Sequence, residues 1–235
     1  MIDRSLNYGR HHIAKFLRQA VDSGIIVDLG AGKGADLAIA AAVHPQAKLI
    51  AVENWPPYVD ALSAKGVAVE SLNIERDELP FSDESVDVII ANQVLEHCKE
   101  VFWIFSEVSR TLKTGGCFIV GVPNLAALHN RLLLAMGQQP SPIKTASAHV
   151  RGYTRQDIEQ FVASCFPGGY RMEAFGGSNF YPFPPLLAKP LAAIFPNFAW
   201  GIFFLLRKVG PYNGQFLKFP VEQRLETNFW LGEKT

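Results

Sequence analysis

The sequence lacks the features that mark several large protein classes. Its 235 residues include only three cysteines, an odd number without Cys-x-x-Cys or Cys/His spacing, so neither a disulfide framework nor a metal site is expected. Basic and acidic side chains balance at 22 each, which leaves no net field to attract a nucleic-acid backbone. No internal repeat or low-complexity tract stands out. We therefore expect a globular protein without a nucleic-acid partner.

The chain also lacks the long apolar segments of membrane and secreted proteins. The N-terminal segment carries polar and basic residues, including Arg4 and Arg10, and has no apolar signal-peptide core. The helix that residues 197–208 would allow is much shorter than the roughly 20 apolar residues of a bilayer span. The cysteines fall in apolar segments and are expected to be buried and reduced. Together these absences predict a cytoplasmic protein.

What the chain does contain is an alternation of apolar strands and amphipathic helices. Strands are predicted at residues 25–29, 47–52, 67–72, 86–91, 117–122, 170–174 and 227–234. Helices are predicted at residues 5–20, 35–43, 94–112, 125–136 and 154–165. Such alternation builds a mostly parallel sheet with right-handed crossovers and helices on both faces. The fold class expected from this pattern is α/β and Rossmann-like.

A glycine-rich turn follows the first predicted strand. The strand, residues 25–29, is apolar and β-branched, and it runs directly into Gly30 and Gly32. Glycine lets the main chain bend sharply and lets a ligand approach the backbone closely. The helix that begins at Ala35 directs the N–H groups of its first turn at the same place. The sequence therefore predicts a nucleotide-type pocket with contacts at Gly30, Ala31 and Gly32.

Two cofactors fit this turn. The spacing Gly30-x-Gly32-x-x-Ala35, followed about twenty residues later by Glu53, matches the fingerprint of dinucleotide-binding proteins. A nicotinamide-dependent oxidoreductase is therefore one interpretation. Asp28, inside the strand, favours S-adenosylmethionine (SAM) instead, because its carboxylate can pair with the methionine ammonium group.

Polar side chains follow the carboxyl ends of the other predicted strands. Glu53 is placed to accept hydrogen bonds from both ribose hydroxyls, and such charge-assisted bonds contribute roughly 1.5–3 kcal/mol each. Asn54 follows it in the chain. Asn73 is predicted to meet the adenine amino group, Ile74 to cover the ring, and Asn92 to end the fourth strand. Since parallel strands present their carboxyl ends at one edge of a sheet, we expect these residues around one crevice.

With these residues placed, the chain resembles the class I SAM-dependent methyltransferases, and among them the type 11 group. The matching segments are Val27-Asp28-Leu29-Gly30-Ala31-Gly32-Lys33-Gly34, Leu79-Pro80-Phe81 with Asp83, Ser85 and Asp87, Val94-Leu95-Glu96-His97, and Leu112-Lys113-Thr114-Gly115-Gly116. The resemblance covers roughly residues 24–124 well and the remainder loosely. It implies SAM as the cofactor and a seven-stranded sheet whose last strand is antiparallel. Many relatives have Asp where this chain has Asn73, so an adenine contact there would lack the charge.

The resemblance also implies how the chain is divided. A single class I methyltransferase domain over residues 1–235 would comprise an N-terminal helix (1–22), a SAM-binding core (23–124), acceptor-side helices (125–168) and an apolar insert between the last two strands (181–225). In the N-terminal helix, Arg10 could reach the ligand, but a solvated basic face is the interpretation we favour.

Candidate acceptor-side residues come from two segments. Arg151 and Tyr153 precede a capping-box pattern that similar sequences place over the active site, so both are predicted to contact substrate; a capping and packing role is equally open. Only a protonated acceptor needs a base. His97 and His149 are the candidates because histidine titrates near neutral pH. His97 is equally interpretable as a hydrogen-bonded residue of a helix turn.

The proline-punctuated apolar stretch at residues 181–208 has two interpretations. It either covers the sheet as a buried insert, which we favour, or lies in a membrane interface, with Trp200 and Phe203 buried and Arg207 and Lys208 at the headgroups. We expect a SAM-dependent methyltransferase that acts on a small or lipid-linked acceptor, at oxygen, in the cytoplasm or peripherally on the inner membrane face. A non-catalytic SAM-binding membrane adaptor is a further alternative.

Overall fold

The computed structural model describes residues 6–20, 24–225 and 228–232. The strands are β1 (Ile25–Leu29), β2 (Lys48–Val52), β3 (Ala68–Glu70), β4 (Val86–Asn92), β5 (Leu112–Pro123), β6 (Tyr170–Ser178) and β7 (Gly201–Lys208). The helices are α1 (Arg10–Leu17), α2 (Ala35–Val43), α3 (Pro56–Ser63), α4 (Val101–Thr111), α5 (Leu128–Ala135), α6 (Arg155–Cys165), α7 (Pro185–Ile194) and α8 (Gln215–Glu222). The ends of the predicted N-terminal helix, residues 1–5 and 21–22, lie outside the described residues.

The seven strands form one sheet in the order β3-β2-β1-β4-β5-β7-β6. The first five strands pair in parallel, whereas β7 runs antiparallel to both β5 and β6. Both faces are covered by helices. Along β7, Phe204 and Leu206 pack in the cluster that contains α4 residues, while Phe203 and Leu205 pack with α1 residues. The predicted Rossmann-like, mostly parallel sheet with helices on both faces is confirmed.

The position predicted for the last strand is wrong. The antiparallel strand is β7, inside the segment that was predicted to be an insert at residues 181–225, so the insert between β6 and β7 spans only residues 179–200. Residues 201–206 form a continuous apolar run because a central strand is buried on both faces, and periodicity cannot distinguish such a run from a buried helix. Residues 228–232 contain no strand, and the remainder of the predicted strand at 227–234 lies outside the described residues.

The roles predicted for Phe203 and Lys208 at a membrane are also wrong. Phe203 is a buried core residue of β7. Lys208 is fully buried, and its Nζ donates to the main-chain oxygens of Ser109 at 2.7 Å and Leu112 at 2.8 Å. A cation there satisfies carbonyl groups at the carboxyl end of α4 and complements the helix dipole. Lys208 therefore stabilises the fold instead of facing lipid.

The long helix predicted over residues 94–112 is interrupted. A 3-10 turn covers Leu95–His97, Cys98 is extended, and α4 begins only at Val101. The main-chain oxygen of Glu96 accepts hydrogen bonds from the N–H groups of Val150 at 2.8 Å and Arg151 at 3.2 Å. Because this carbonyl bonds to a distant segment, it is not available for a regular helix. The turn is thereby fastened to the acceptor-side segment.

The three cysteines are buried thiols, as predicted. Cys98, Cys117 and Cys165 are unpaired with one another. Burial raises the pKa of their thiols to about 12, 11 and 12 respectively, which keeps them protonated and unreactive at neutral pH.

Candidate functional site

The glycine turn after β1 has a conformation that requires glycine. Gly30 has a φ of +64°, and a Cβ atom added there would lie 2.7 Å from Cγ2 of Val94. The N–H groups of Gly30 and Ala31 both donate to the main-chain oxygen of Val52, at 2.8 and 3.2 Å. The turn is therefore held against the end of β2, and a side chain at residue 30 would fill the space beside it.

A cavity of about 280 Å³ opens at the carboxyl edge of the sheet, beside this turn. Its wall includes six predicted site residues: Gly30, Glu53, Asn54, Asn73, Ile74 and His97. It also includes Leu72, Gln93 and Val94, which were not predicted as site residues. Ala31, Gly32, Asp28 and Asn92 are not part of the wall. The convergence of strand ends on one crevice is thus observed for the ends of β1, β2 and β4 and for the segment after β3.

Glu53 is held by the main chain on both of its oxygens. Its Oε2 accepts from the N–H of Gly32 at 2.9 Å, and its Oε1 accepts from the N–H groups of Asn54 and Trp55, each at 3.0 Å. An ionised carboxylate offers about four lone-pair sites, so these three bonds leave acceptor capacity free. The side chain is half-buried in the cavity wall. This geometry suits an acceptor for ligand hydroxyl groups.

The segment after β3 supplies a polar and an apolar part of the wall. The side-chain oxygen of Asn73 accepts from the N–H of Glu75 at 3.0 Å, which closes a turn and leaves that oxygen one further lone pair. Ile74 and Leu72 line the cavity with apolar surface. A flat heterocycle could therefore contact hydrocarbon here while its amino group meets a single amide oxygen.

A buried acidic group lies next to the glycine turn. Asp28 is 2% exposed, and its Oδ2 has no hydrogen-bond partner among the described residues. Asp36 accepts from Arg10 Nε at 2.9 Å and from Asn92 Nδ2 at 3.0 Å. Burial, followed by the nearby charge of Asp36, raises the pKa of Asp28 well above its usual range, while Arg10 opposes this shift. The positive charge of Arg10 thus lies near two buried carboxyls, those of Asp28 and Asp36. A cationic ligand would balance the excess negative charge.

Asp36 was not predicted from the sequence, and Arg10 was considered as a ligand contact but assigned to a solvated basic face. The interpretation of Arg10 as part of a solvated basic face is wrong, because its side chain is only 20% exposed and pairs with Asp36. The available signal was the position of Asp36 in the first turn of α2, where a carboxylate is favoured by the helix dipole. An acidic residue at this position also occurs where it only stabilises the helix end, so it does not by itself indicate a ligand-binding site.

The predicted acceptor-side residues gather around the 3-10 turn at Leu95–His97. The rings of His97 and His149 are in edge contact, with centroids 4.6 Å apart. Arg151 donates to the main-chain oxygen of Lys99 at 2.7 Å, and the buried Tyr153 hydroxyl donates to that of Leu95 at 3.1 Å. Both side chains therefore hold the turn, and a contact of either with substrate stays a prediction.

The order of the strands distinguishes between SAM and a nicotinamide dinucleotide, the two cofactors that fit the glycine pattern. Dinucleotide-binding sheets have the order 3-2-1-4-5-6 with parallel strands. Here an antiparallel strand, β7, is inserted between β5 and β6. A sequence profile described as a methyltransferase domain, of the type 11 family, matches residues 27–120. Over residues 27–120 the chain is therefore similar to the SAM-dependent methyltransferases of the type 11 group.

Similar proteins agree with this assignment. The chain is 26% identical over 176 residues to a malonyl-[acyl-carrier protein] O-methyltransferase of Methylococcus capsulatus, an alignment that covers 72% of this chain and 61% of that protein. It is 26% identical over 186 residues to a demethylmenaquinone methyltransferase of Chlorobaculum parvum, covering 75% and 77%. Its fold matches a SAM-dependent methyltransferase structure from Mesorhizobium loti with a TM-score of 0.58, 17% identity, and coverage of 86% and 100%.

The first curated relatives are longer proteins than this chain. The chain spans 31%, 61% and 35% of the lengths of three of them. Within the described residues no helix is long and apolar enough to cross a bilayer.

SAM, the cofactor of this family, fits the residues that are present. The glycine turn leaves room for a ligand against the backbone, Glu53 offers free acceptor capacity, and the unpartnered Asp28 carboxyl matches a cationic amine. Different parts of this cofactor are therefore matched by the glycine turn, Glu53 and Asp28.

Proposed function

We propose that this protein transfers a methyl group from SAM to an oxygen atom of a small or lipid-linked acceptor. The observation that carries the proposal is the convergence of Gly30, Glu53 and Asn73 on one cavity, beside the unpartnered carboxyl of Asp28. When bound, SAM supplies a methyl group on a sulfonium centre, which a nucleophile takes by in-line displacement. The tasks left to the protein are to align the acceptor and to exclude water.

The cofactor roles follow from the contacts of each residue. Glu53 accepts from a ribose hydroxyl through the remaining acceptor site of Oε2, while Asn73 and Ile74 contact the adenine ring. Asp28 attracts the ammonium group, and its ionisation is then favoured because the buried acidic group gains a positive charge. Asn92 orients Asp36 within that group through its 3.0 Å hydrogen bond.

The acceptor approaches from the side of the 3-10 turn. His97 lies in the cavity wall at that side, and the ring of His149 is in edge contact with it. A hydroxyl or carboxyl acceptor must lose its proton in becoming an ether or ester, so polar groups at this position favour oxygen over an unactivated carbon. One relative carries an O-methyltransferase name. Loss of the His97 side chain is expected to slow transfer more than it weakens cofactor binding.

We further propose that a membrane surface with anionic lipids brings the acceptor to the protein. Helix α7 exposes large apolar side chains, with Leu186 85% and Ile194 67% exposed. Cations lie on this helix and near it. Lys189 belongs to α7, and the pKa of His11 is lowered by burial and then by the charges of Lys189 and Lys15. An amphipathic helix with apolar residues and nearby cations suits the interface of an anionic bilayer. The protein would then be cytoplasmic and peripheral on the inner membrane face, with contact through residues 181–195 instead of 181–208.

The transfer reaction is tested with purified protein, radiolabelled SAM and a cell extract separated into lipid and aqueous fractions. We expect label in the lipid fraction with the wild-type protein and at least tenfold less with Glu53→Ala. SAM binding without label in either fraction would support the non-catalytic adaptor instead. Thermal stabilisation by NAD but not by SAM would overturn the proposal, since only a true ligand stabilises the folded state.

Membrane contact is tested separately by vesicle flotation. Neutral phosphatidylcholine vesicles are compared with vesicles that also contain phosphatidylglycerol, an anionic lipid. We expect the wild-type protein to float with the anionic vesicles and Leu186→Glu to remain in solution. Val221→Glu, an exposed position on α8, is the matched control and should float as the wild type does. Equal flotation of both variants would remove α7 from the contact.

A further inference from the structure

Three side chains with metal-binding groups meet beside the cofactor cavity. Glu96 and His97 belong to the 3-10 turn, and His149 reaches it from the acceptor-side segment. One possible ligand atom of each side chain lies within 4.8 Å of the other two. No cofactor role derived above requires Glu96 or His149.

Glu96 is the member with an unpartnered side-chain oxygen. Its side chain is 1% exposed, and its Oε2 has no hydrogen bond among the described residues. A buried carboxyl oxygen without a hydrogen bond is costly, and buried charges in proteins are usually paired or coordinate metals. The turn therefore holds a carboxyl whose natural complement is positive charge.

The two histidines are already oriented as metal ligands usually are. His97 Nδ1 lies 3.3 Å from the main-chain oxygen of Ala148, and His149 Nδ1 lies 2.8 Å from that of Pro142. An Nδ1–H that donates to a carbonyl fixes the tautomer and leaves the lone pair of Nε2 free. Metal-ligating histidines almost always have such a second hydrogen bond.

We propose that Glu96, His97 and His149 bind one divalent first-row transition ion, with Zn²⁺ as the reference case. Two imidazoles and one carboxylate suit such ions, whereas Mg²⁺ and Ca²⁺ prefer oxygen ligands. Around Zn²⁺, with bonds of about 2.0–2.2 Å, ligand atoms lie roughly 3–4 Å apart, so small side-chain rotations complete the site. Three protein ligands leave a coordination position open, as in metal sites that bind substrate.

The ion would change how the acceptor is activated, a consequence that rests on the proposed function. An acceptor oxygen in the open position would lose its proton to water more readily, because a bound cation stabilises the anion. His97 would then hold the cation and would not itself accept the proton. The sequence did not suggest this site because its ligands come from two distant segments and include no cysteine.

The site is tested by titrating Zn²⁺ into tag-free, EDTA-dialysed protein and measuring heat, and by recording the visible absorption of bound Co²⁺. We expect one equivalent of Zn²⁺, an affinity at least tenfold lower in Glu96→Gln and in His149→Asn, and no heat with Mg²⁺. His129→Asn, a partly buried histidine outside the cluster, is the matched control and should bind as the wild type does. Circular dichroism checks that each variant is folded.

Absence of saturable Zn²⁺ binding, or equal affinity in all variants, would overturn the metal site. SAM binding is measured in the same samples, which separates this proposal from the proposed function. Zn²⁺ binding without SAM binding would leave the metal site standing and remove the methyltransferase activity. SAM binding without Zn²⁺ binding would support the proposed function and overturn the metal site.

Discussion

The main-chain N–H of Gly32 donates to Oε2 of Glu53 at 2.9 Å. This bond joins the glycine turn after β1 to the residue that ends β2. The other carboxylate oxygen is held by two N–H groups, so the orientation of Glu53 is set by the protein before a ligand arrives. Preorganised groups bind more tightly because less conformational freedom is lost on binding. The glycine turn and Glu53 are therefore expected to act as one unit.

A side chain at residue 30 should damage both the turn and the cofactor site. Gly30→Ala places a Cβ in a positive-φ conformation, which costs about 1–2 kcal/mol, and also against Val94. Gly66→Ala is the matched control, because Gly66 has a φ of +75° but no atom within 4 Å of an added Cβ. We expect denaturant titration to show a larger loss of stability for Gly30→Ala, together with loss of SAM binding. Equal losses of stability in the two variants would contradict the contact with Val94.

The buried cation at the end of β7 should contribute strongly to stability. Lys208→Met keeps the length of the side chain but leaves the carbonyl groups of Ser109 and Leu112 without their donor. An unsatisfied buried acceptor costs about 1–3 kcal/mol, so we expect the free energy of unfolding to fall by about 2–3 kcal/mol. Lys48→Met, at an exposed position of β2, should change it by less than about 0.5 kcal/mol. An unchanged free energy of unfolding in Lys208→Met would show that Lys208 does not stabilise the end of α4.

An ion pair on β6 and β7 should make stability depend on acid pH. Glu173 accepts from Arg207 at 2.7 Å and from Arg171 at 2.8 Å, and hydrogen bonding to Arg207 lowers the pKa of Glu173 to about 2. A lowered pKa in the folded state stabilises the protein above the unfolded-state pKa, and this contribution is lost as pH falls through the folded value. Glu173→Gln should therefore lose about 1 kcal/mol at pH 7, allowing for solvent screening.

The same difference should shrink steadily between pH 4.5, the unperturbed value, and pH 2. Chemical denaturation at a series of pH values measures it. Glu78→Gln, at an exposed acid, provides the comparison. A Glu173→Gln penalty that does not change with pH would mean that packing, and not charge, accounts for the loss.

The cofactor half of the fold could be predicted because its local signals agree with its tertiary environment. The apolar strand at residues 25–29 and the glycines after it determine a turn by backbone sterics alone. Glu53 and Asn73 were predicted as site residues because parallel strands present their carboxyl ends at one edge, and both lie in the cavity wall. These inferences needed only the order of the elements.

The acceptor half could not be predicted in the same way, since its structure depends on contacts between distant residues. The run at residues 201–206 is apolar on both faces of a central strand, so it has no strand periodicity. The helix break at residues 95–97 depends on hydrogen bonds between Glu96 and residues 150–151. Nothing in the local sequence around Glu96 indicates that its carboxyl is buried.

The most direct test of the central claim, that SAM binds at the glycine turn, is calorimetric titration of SAM into the wild-type protein and Glu53→Ala. We predict one saturable site in the wild-type protein and a dissociation constant at least tenfold higher in the variant, because the acceptor for the ribose hydroxyls is lost. Glu70→Ala, at the end of β3 outside the cavity wall, should bind as the wild type does. An unchanged dissociation constant in folded Glu53→Ala, or no SAM binding by the wild-type protein, would contradict the account.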